Sequence, residues 1–126
     1  MNENQTRYER GLDWLRKVDG RSGDAVVDKV AALSPDMAVM LVEMFGDVYS
    51  RPQLDLRSRE VAVIAALTVL GYALPQLKVH VQAGLNVGLT PDEIREIILH
   101  MVPYVGFPAT LNALFAAGEV LAEHSS

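Results

Sequence analysis

The sequence predicts an all-α protein, a single-domain helical bundle of about six to seven helices spanning residues 1–126. Two observations carry that expectation. Apolar residues recur at spacings of three and four rather than two, which is the period of helices and not of strands. The breaks between apolar runs are spelled as helix caps, Ser34-Pro35-Asp36 and Thr90-Pro91-Asp92-Glu93 being the clearest.

Taken in order, Thr6 to Val18 sets Tyr8, Leu12, Trp14, Leu15 and Val18 among charges, a short amphipathic helix expected to end in turns at Asp19-Gly20 and Ser22-Gly23. A second short helix is expected over Asp24 to Leu33. Ser34 then offers a hydroxyl N-cap, Pro35 an N1 residue whose missing N–H costs nothing, and Asp36 an acid facing the positive end of the dipole. That helix should run to Tyr49, and its Met37, Met40, Met44 and Phe45 look exposed, a face that suggests burial against another subunit. After the loop Arg51-Pro52-Gln53-Leu54-Asp55, Asp55 should cap a helix reaching Leu70. Its body, Val61 to Leu67, is apolar all round and reads as the central helix. Gly71 to Leu74 turns the chain, Pro75 opens a helix ending at Gly88, and Thr90 to Glu93 is a capping box with proline at N1. The helix it opens should break near Pro103, with a kink from Tyr104 to Pro108 and a last helix from Pro108 through Ala122.

Composition removes whole classes of function. Cysteine is absent, so there is no disulfide, no thiolate ligand and no sulfur nucleophile. Sixteen acidic residues against eleven basic ones give a net charge of -5, the opposite of a nucleic-acid binder. Met1 to Tyr8 shows no secretory pattern, and the charge-free stretch from Val61 to Gln76 is interrupted by Thr68, Gly71, Tyr72 and Pro75. It falls short of the roughly 20 apolar residues that span a bilayer, so the expectation is a soluble, cytoplasmic protein with no membrane partner. No P-loop, dinucleotide fingerprint or nucleophile elbow occurs, and His80, His100 and His124 lack the three- or four-residue spacing of metal-ligand pairs. Neither metal nor cofactor is expected.

His80 is the most informative residue. Leu77, Val81 and Leu85, with Gly84 and Gly88 alongside, place it on the inward edge of an apolar stripe, so it should be largely buried. It reads either as a core histidine bonded to a carbonyl or as a general acid. Glu93, Glu96 and His100 follow at three and four and read as a solvated face with a His100–Glu96 pair, while His124 suits the end of a last helix. Arg57, Arg59 and Glu60 open the apolar central helix. Glu60 is either a dipole-compensating acid paired with an arginine or a carboxylate carried into an apolar interior, where its pKa would rise. At about 1.5 Å per residue Glu60 lies roughly 17 Å along the axis from Gly71, and His80 roughly 8 Å from Pro75. In a simple antiparallel hairpin they would not touch, so contact needs a steep crossing or a neighbouring subunit.

Four stretches, in this order and spacing, resemble the carboxymuconolactone decarboxylase family: Arg51 to Glu60, Leu77 to Gly88, Thr90 to Ile94, and Tyr104 to Ala109. With Arg7-Tyr8-Glu9-Arg10-Gly11 the likeness covers nearly the whole chain. The resemblance implies an all-helical fold assembling into homotrimers or homohexamers. It also implies one of two chemistries. The alkylhydroperoxidase D-like branch uses a Cys-x-x-Cys pair followed after three intervening residues by a histidine, with a glutamate on the preceding helix; here the histidine is His80 and the glutamate Glu60, but the cysteine positions hold Ala73 and Gln76. Peroxidase chemistry therefore has no sulfur to run on. The other branch decarboxylates 4-carboxymuconolactone without a thiol. For that reaction the resemblance makes His80 and Glu60 the catalytic candidates. Residue type and neighbourhood suggest Arg51 or Arg57 to hold a carboxylate of a small anionic substrate, and Tyr104 or Asn112 to donate to the lactone oxygen. A different thiol-free lyase or isomerase, or a non-catalytic oligomeric binding protein, are the alternatives.

Overall fold

The computed structural model describes residues 4–125. The first three residues of the Met1 to Tyr8 stretch lie outside them, as does Ser126. Among the described residues there are seven helices and no strand: α1 (Arg7–Asp19), α2 (Arg21–Leu33), α3 (Pro35–Tyr49), α4 (Leu56–Leu70), α5 (Leu74–Asn86), α6 (Pro91–His100) and α7 (Val102–Ser125). The contacts divide them into two compact units, the first ending at Asp55 and the second beginning at Leu56.

In the first unit α1, α2 and α3 pack on one another around Leu15, Val27 and Val42. Thr6 caps α1, its hydroxyl accepting from the Glu9 amide, and Ser34 caps α3 through the Met37 amide with Pro35 at the first helical position. The expected turn at Ser22-Gly23 is not a turn. Gly20 alone, at φ 62°, redirects the chain, and α2 begins at Arg21. Gly23 sits inside α2 because a Cβ there would lie 3.0 Å from Leu15 Cγ and from Asp19 Cβ, so its role is close packing of α2 on α1. The same device is stronger between α1 and α3, where a Cβ on Gly46 would come within 2.6 Å of the Gly11 Cα. Phe45 also departs from expectation: it turns inward, stacked on Tyr49 with ring centroids 3.9 Å apart, whereas Met37, Met40 and Met44 remain exposed.

At the surface of this unit Arg7 binds Glu43 and Asp47, and Arg10 binds Asp47. The hydrogen bond from Arg7 holds the Asp47 carboxyl below its ordinary value of 3.8. In the second unit the Thr90 backbone amide, followed by Arg57, holds Glu93 below 4.5. Groups whose pKa is depressed by folding stabilise the protein above their ordinary pKa and lose that contribution as pH falls through the folded value. Asp47→Asn should therefore lower the melting temperature at neutral pH, with a difference that shrinks as pH falls below the ordinary carboxyl value and through the lower folded one. Melting curves of the two proteins across the acid range check this, and equal differences at both ends would contradict it.

In the second unit α4 packs against α5, α6 and α7, and α7 against α5 and α6. The core is Ile64, Leu77, Val81, Leu89, Ile94 and Ile98 with small α7 residues such as Ala113 and Ala117. Although α4 is apolar on every side, one chain fully buries only its Glu60, Ile64 and Thr68 stripe, leaving Val69 and Leu70 exposed. The Thr90 and Glu93 capping box forms as expected. The expected kink falls at Gly106, whose φ of 81° and ψ of 174° break the helical path, with the Thr110 hydroxyl donating back to the Gly106 carbonyl. By length and composition α7 is long and apolar enough to cross a membrane. The expectation of no membrane span rests on residues 61–76 alone.

Candidate active site

Glu60 stands one turn inside α4, and His80 is at mid-length on α5, a helix started by Leu74-Pro75. Nδ1 of His80 and Oε1 of Glu60 share a hydrogen bond of 2.7 Å. The Glu60 side chain is 0% exposed and that of His80 18%. The contact lies within one chain, so the two side chains meet without a neighbouring subunit. The partner of Nδ1 is thus a carboxyl group, which accepts from Nδ1–H when ionised and donates to a bare Nδ1 when protonated. Chemically this is a carboxylate–imidazole couple in a site mostly closed to water. It can hold a tautomer, deliver a proton or take one up.

The other sequence candidates fall elsewhere. Arg57, at the start of α4, is bound by Oε2 of Glu93 while Oε1 of Glu93 closes the α6 capping box on the Thr90 amide. The sequence marks Glu93 as a cap and as part of a solvated face, and a tertiary partner for its second oxygen leaves no trace in local spacing. A cleft of ≈ 360 Å³ opens beside this pair, with Val61, Ala65 and Ile97 in its floor and Glu93, Glu96 and His100 among its lining; neither Glu60 nor His80 lines it. His100 forms no ion pair with Glu96. Its ring instead tilts against Tyr104 at 5.7 Å between centroids, and Tyr104 is otherwise exposed. Asn112 is on the exposed side of α7 and makes no hydrogen bond to the Glu60–His80 pair. Arg51 belongs to the first unit, in the loop after α3. Among the described residues no three His, Cys, Asp or Glu side chains gather closely enough to hold a metal ion.

The described residues thus form a helical chain that joins a buried glutamate to a histidine, and the sequence holds no cysteine. Comparison with known proteins gives the family. The model of the carboxymuconolactone decarboxylase family matches residues 35–119, and the chain belongs to that family. It is 34% identical to a 4-carboxymuconolactone decarboxylase of Acinetobacter baylyi over 95% of this chain and 90% of the relative. It is 40% identical to a 15.0 kDa protein in the nqo9-nqo10 intergenic region of Paracoccus denitrificans over 72% of this chain and 69% of that one. It is also 31% identical to the nitrosuccinic acid decarboxylase npaB of Metarhizium robertsii, over 61% of this chain and 53% of the relative.

Proposed function

We propose that this protein is a cofactor-independent carboxy-lyase that decarboxylates 4-carboxymuconolactone or a closely similar small anionic lactone, with His80 as general acid. The observation that carries the reading is the buried Glu60–His80 hydrogen bond in a chain whose relatives include two named decarboxylases. Carbon dioxide leaves from the ring carbon γ to the lactone carbonyl, and the electron pair moves through the ring double bond into that carbonyl. Protonation at the α carbon then gives the enol-lactone of 3-oxoadipate. His80 delivers that proton from Nε2 and is left neutral with Nδ1–H still on Glu60, so the tautomer is held for reprotonation by solvent. Arg57 is the preferred grip for the substrate carboxylate, its guanidinium already fixed by Glu93. Arg51, Tyr104 and Asn112 rest on residue type alone. Nitrosuccinic acid carries a nitro group beside a carboxyl, so it too brings its own electron sink. That parallel favours, as a second reading, a lyase for another small acid able to delocalise the developing carbanion.

Self-association in the cytoplasm belongs to the same proposal, supported by the exposed Met37, Met40 and Met44 on α3 and Phe107 and Phe115 on α7. One preparation tests both points. Light scattering should give a mass well above 13.8 kDa. Enzymatically generated 4-carboxymuconolactone should release carbon dioxide at a rate proportional to protein. A monomer would remove the assembly, and a preparation that is folded but releases no carbon dioxide would remove the decarboxylation.

A further inference from the structure

Glu60 and Ile64 follow one another on the buried stripe of α4, and His80 and Gly84 follow one another at the same spacing on α5. The two pairs meet. A Cβ built on Gly84 would lie 3.3 Å from Ile64 Cδ1, 3.0 Å from Leu89 Cδ1 and 3.7 Å from Ile94 Cδ1. Leu89 has little freedom to yield, because α5 ends in a Schellman motif. The Leu89 amide donates to the Gly84 carbonyl at 2.9 Å and the Gly88 amide to the Leu85 carbonyl at 3.2 Å, with Gly88 at φ 106°. That motif folds the Leu89 side chain back over Gly84, where it is buried together with Ile64 and Ile94. The space above Gly84 is therefore closed from α4 on one side and from the α5–α6 connection on the other.

We propose that Gly84 is a positioning residue: its bare Cα, seated on Ile64 one turn beyond the Glu60–His80 bond, sets how deeply α5 lies on α4 and so holds the His80 ring on the Glu60 carboxylate. A methyl at this position makes its neighbours give by a few tenths of an ångström. A hydrogen bond of 2.7 Å between two packed helices registers such a shift directly. The proposal rests on the catalytic reading of His80 for its effect on turnover, but its effect on the ring does not depend on any reaction.

The experiment reads the ring. Protein labelled with ¹⁵N at histidine is examined by long-range ¹⁵N–¹H correlation, which reports the His80 tautomer, and by solvent exchange of the Nδ1–H proton. Gly84→Ala should keep its helical circular dichroism, exchange that proton about tenfold faster, and release carbon dioxide about tenfold more slowly at unchanged KM. The double variant Gly84→Ala with Ile64→Val deletes the α4 atom the methyl meets, Cδ1 at 3.3 Å, while Leu89 Cδ1 at 3.0 Å stays, and should recover a measurable part of both. Gly118→Ala, where a Cβ meets nothing within 4 Å, should leave both unchanged. A folded Gly84→Ala protein with wild-type ring signals would overturn the proposal, as would failure of Ile64→Val to restore any part of them. Should Gly84→Ala not fold, Ile64→Val alone opens the seat from the α4 side and should speed Nδ1–H exchange; unchanged exchange there would equally overturn it. If instead His80→Gln retains full turnover, the catalytic reading fails while the ring measurement stands.

Discussion

Gly11→Ala should lower the stability of the first unit by more than about 4 kcal/mol, the range reserved for substitutions that force backbone apart. A Cβ on Gly11 would sit 2.2 Å from the Val42 carbonyl oxygen and 2.8 Å from the Val42 carbonyl carbon. No rotamer relieves this, because the methyl has no torsion to turn and the atom it meets most closely is the main-chain oxygen of Val42, with Val42 Cγ1 also at 2.8 Å. The α1 and α3 axes must separate, and that opens the contact of Leu15 with Val42 and pulls Arg7 and Arg10 from Asp47. Gly46→Ala should behave alike, its Cβ meeting the Gly11 Cα at 2.6 Å. Trp14, on α1 and unique in the chain, gives a fluorescence signal for this unit. Urea titration should show its transition moved far to lower denaturant or lost. The exposed Gly118→Ala on α7 serves as control and should stabilise by up to about 1 kcal/mol, as alanine does in place of a helical glycine. A Gly11→Ala protein with the wild-type midpoint would contradict the close approach.

Local chemistry made much of this fold readable. Ser34-Pro35, Thr90-Pro91-Asp92-Glu93 and Pro75 each state a helix start in side-chain or ring geometry, and the helices begin where those residues place them. Gly23 misled for a physical reason. A glycine satisfies two different needs, a turn or a close approach, and only the tertiary neighbours Leu15 and Asp19 reveal that the second applies. The apolar circumference of α4 reads as a central helix, and α4 does pack against α5, α6 and α7, but one chain fully buries only a single stripe of it. In the site, spacing on α5 correctly turned His80 inward, but its partner lies on another helix, and helix-length arithmetic alone argued against their meeting. The way α5 lies on α4, with Gly84 beside Ile64, is a tertiary feature that no local pattern encodes. Glu93 shows the same limit, its capping oxygen legible and its Arg57 oxygen not.

His80→Gln gives the most direct measurement of the acid–base claim. Glutamine retains an N–H able to donate toward Glu60, so the buried carboxylate keeps a partner while the proton that moves near neutral pH is gone. His80→Ala is the harsher comparison, because it takes the donor away and should also lose about 3 to 5 kcal/mol of stability. Carbon dioxide release from 4-carboxymuconolactone should be compared at equal folded fraction, judged by circular dichroism, for wild-type, His80→Gln and Glu60→Gln proteins. The expected result for His80→Gln is a fall in turnover of roughly 10² to 10⁴ with its helical content intact, the loss typical of a removed general acid. A folded His80→Gln protein that releases carbon dioxide at the wild-type rate would contradict it and take the Glu60–His80 pair out of the reaction.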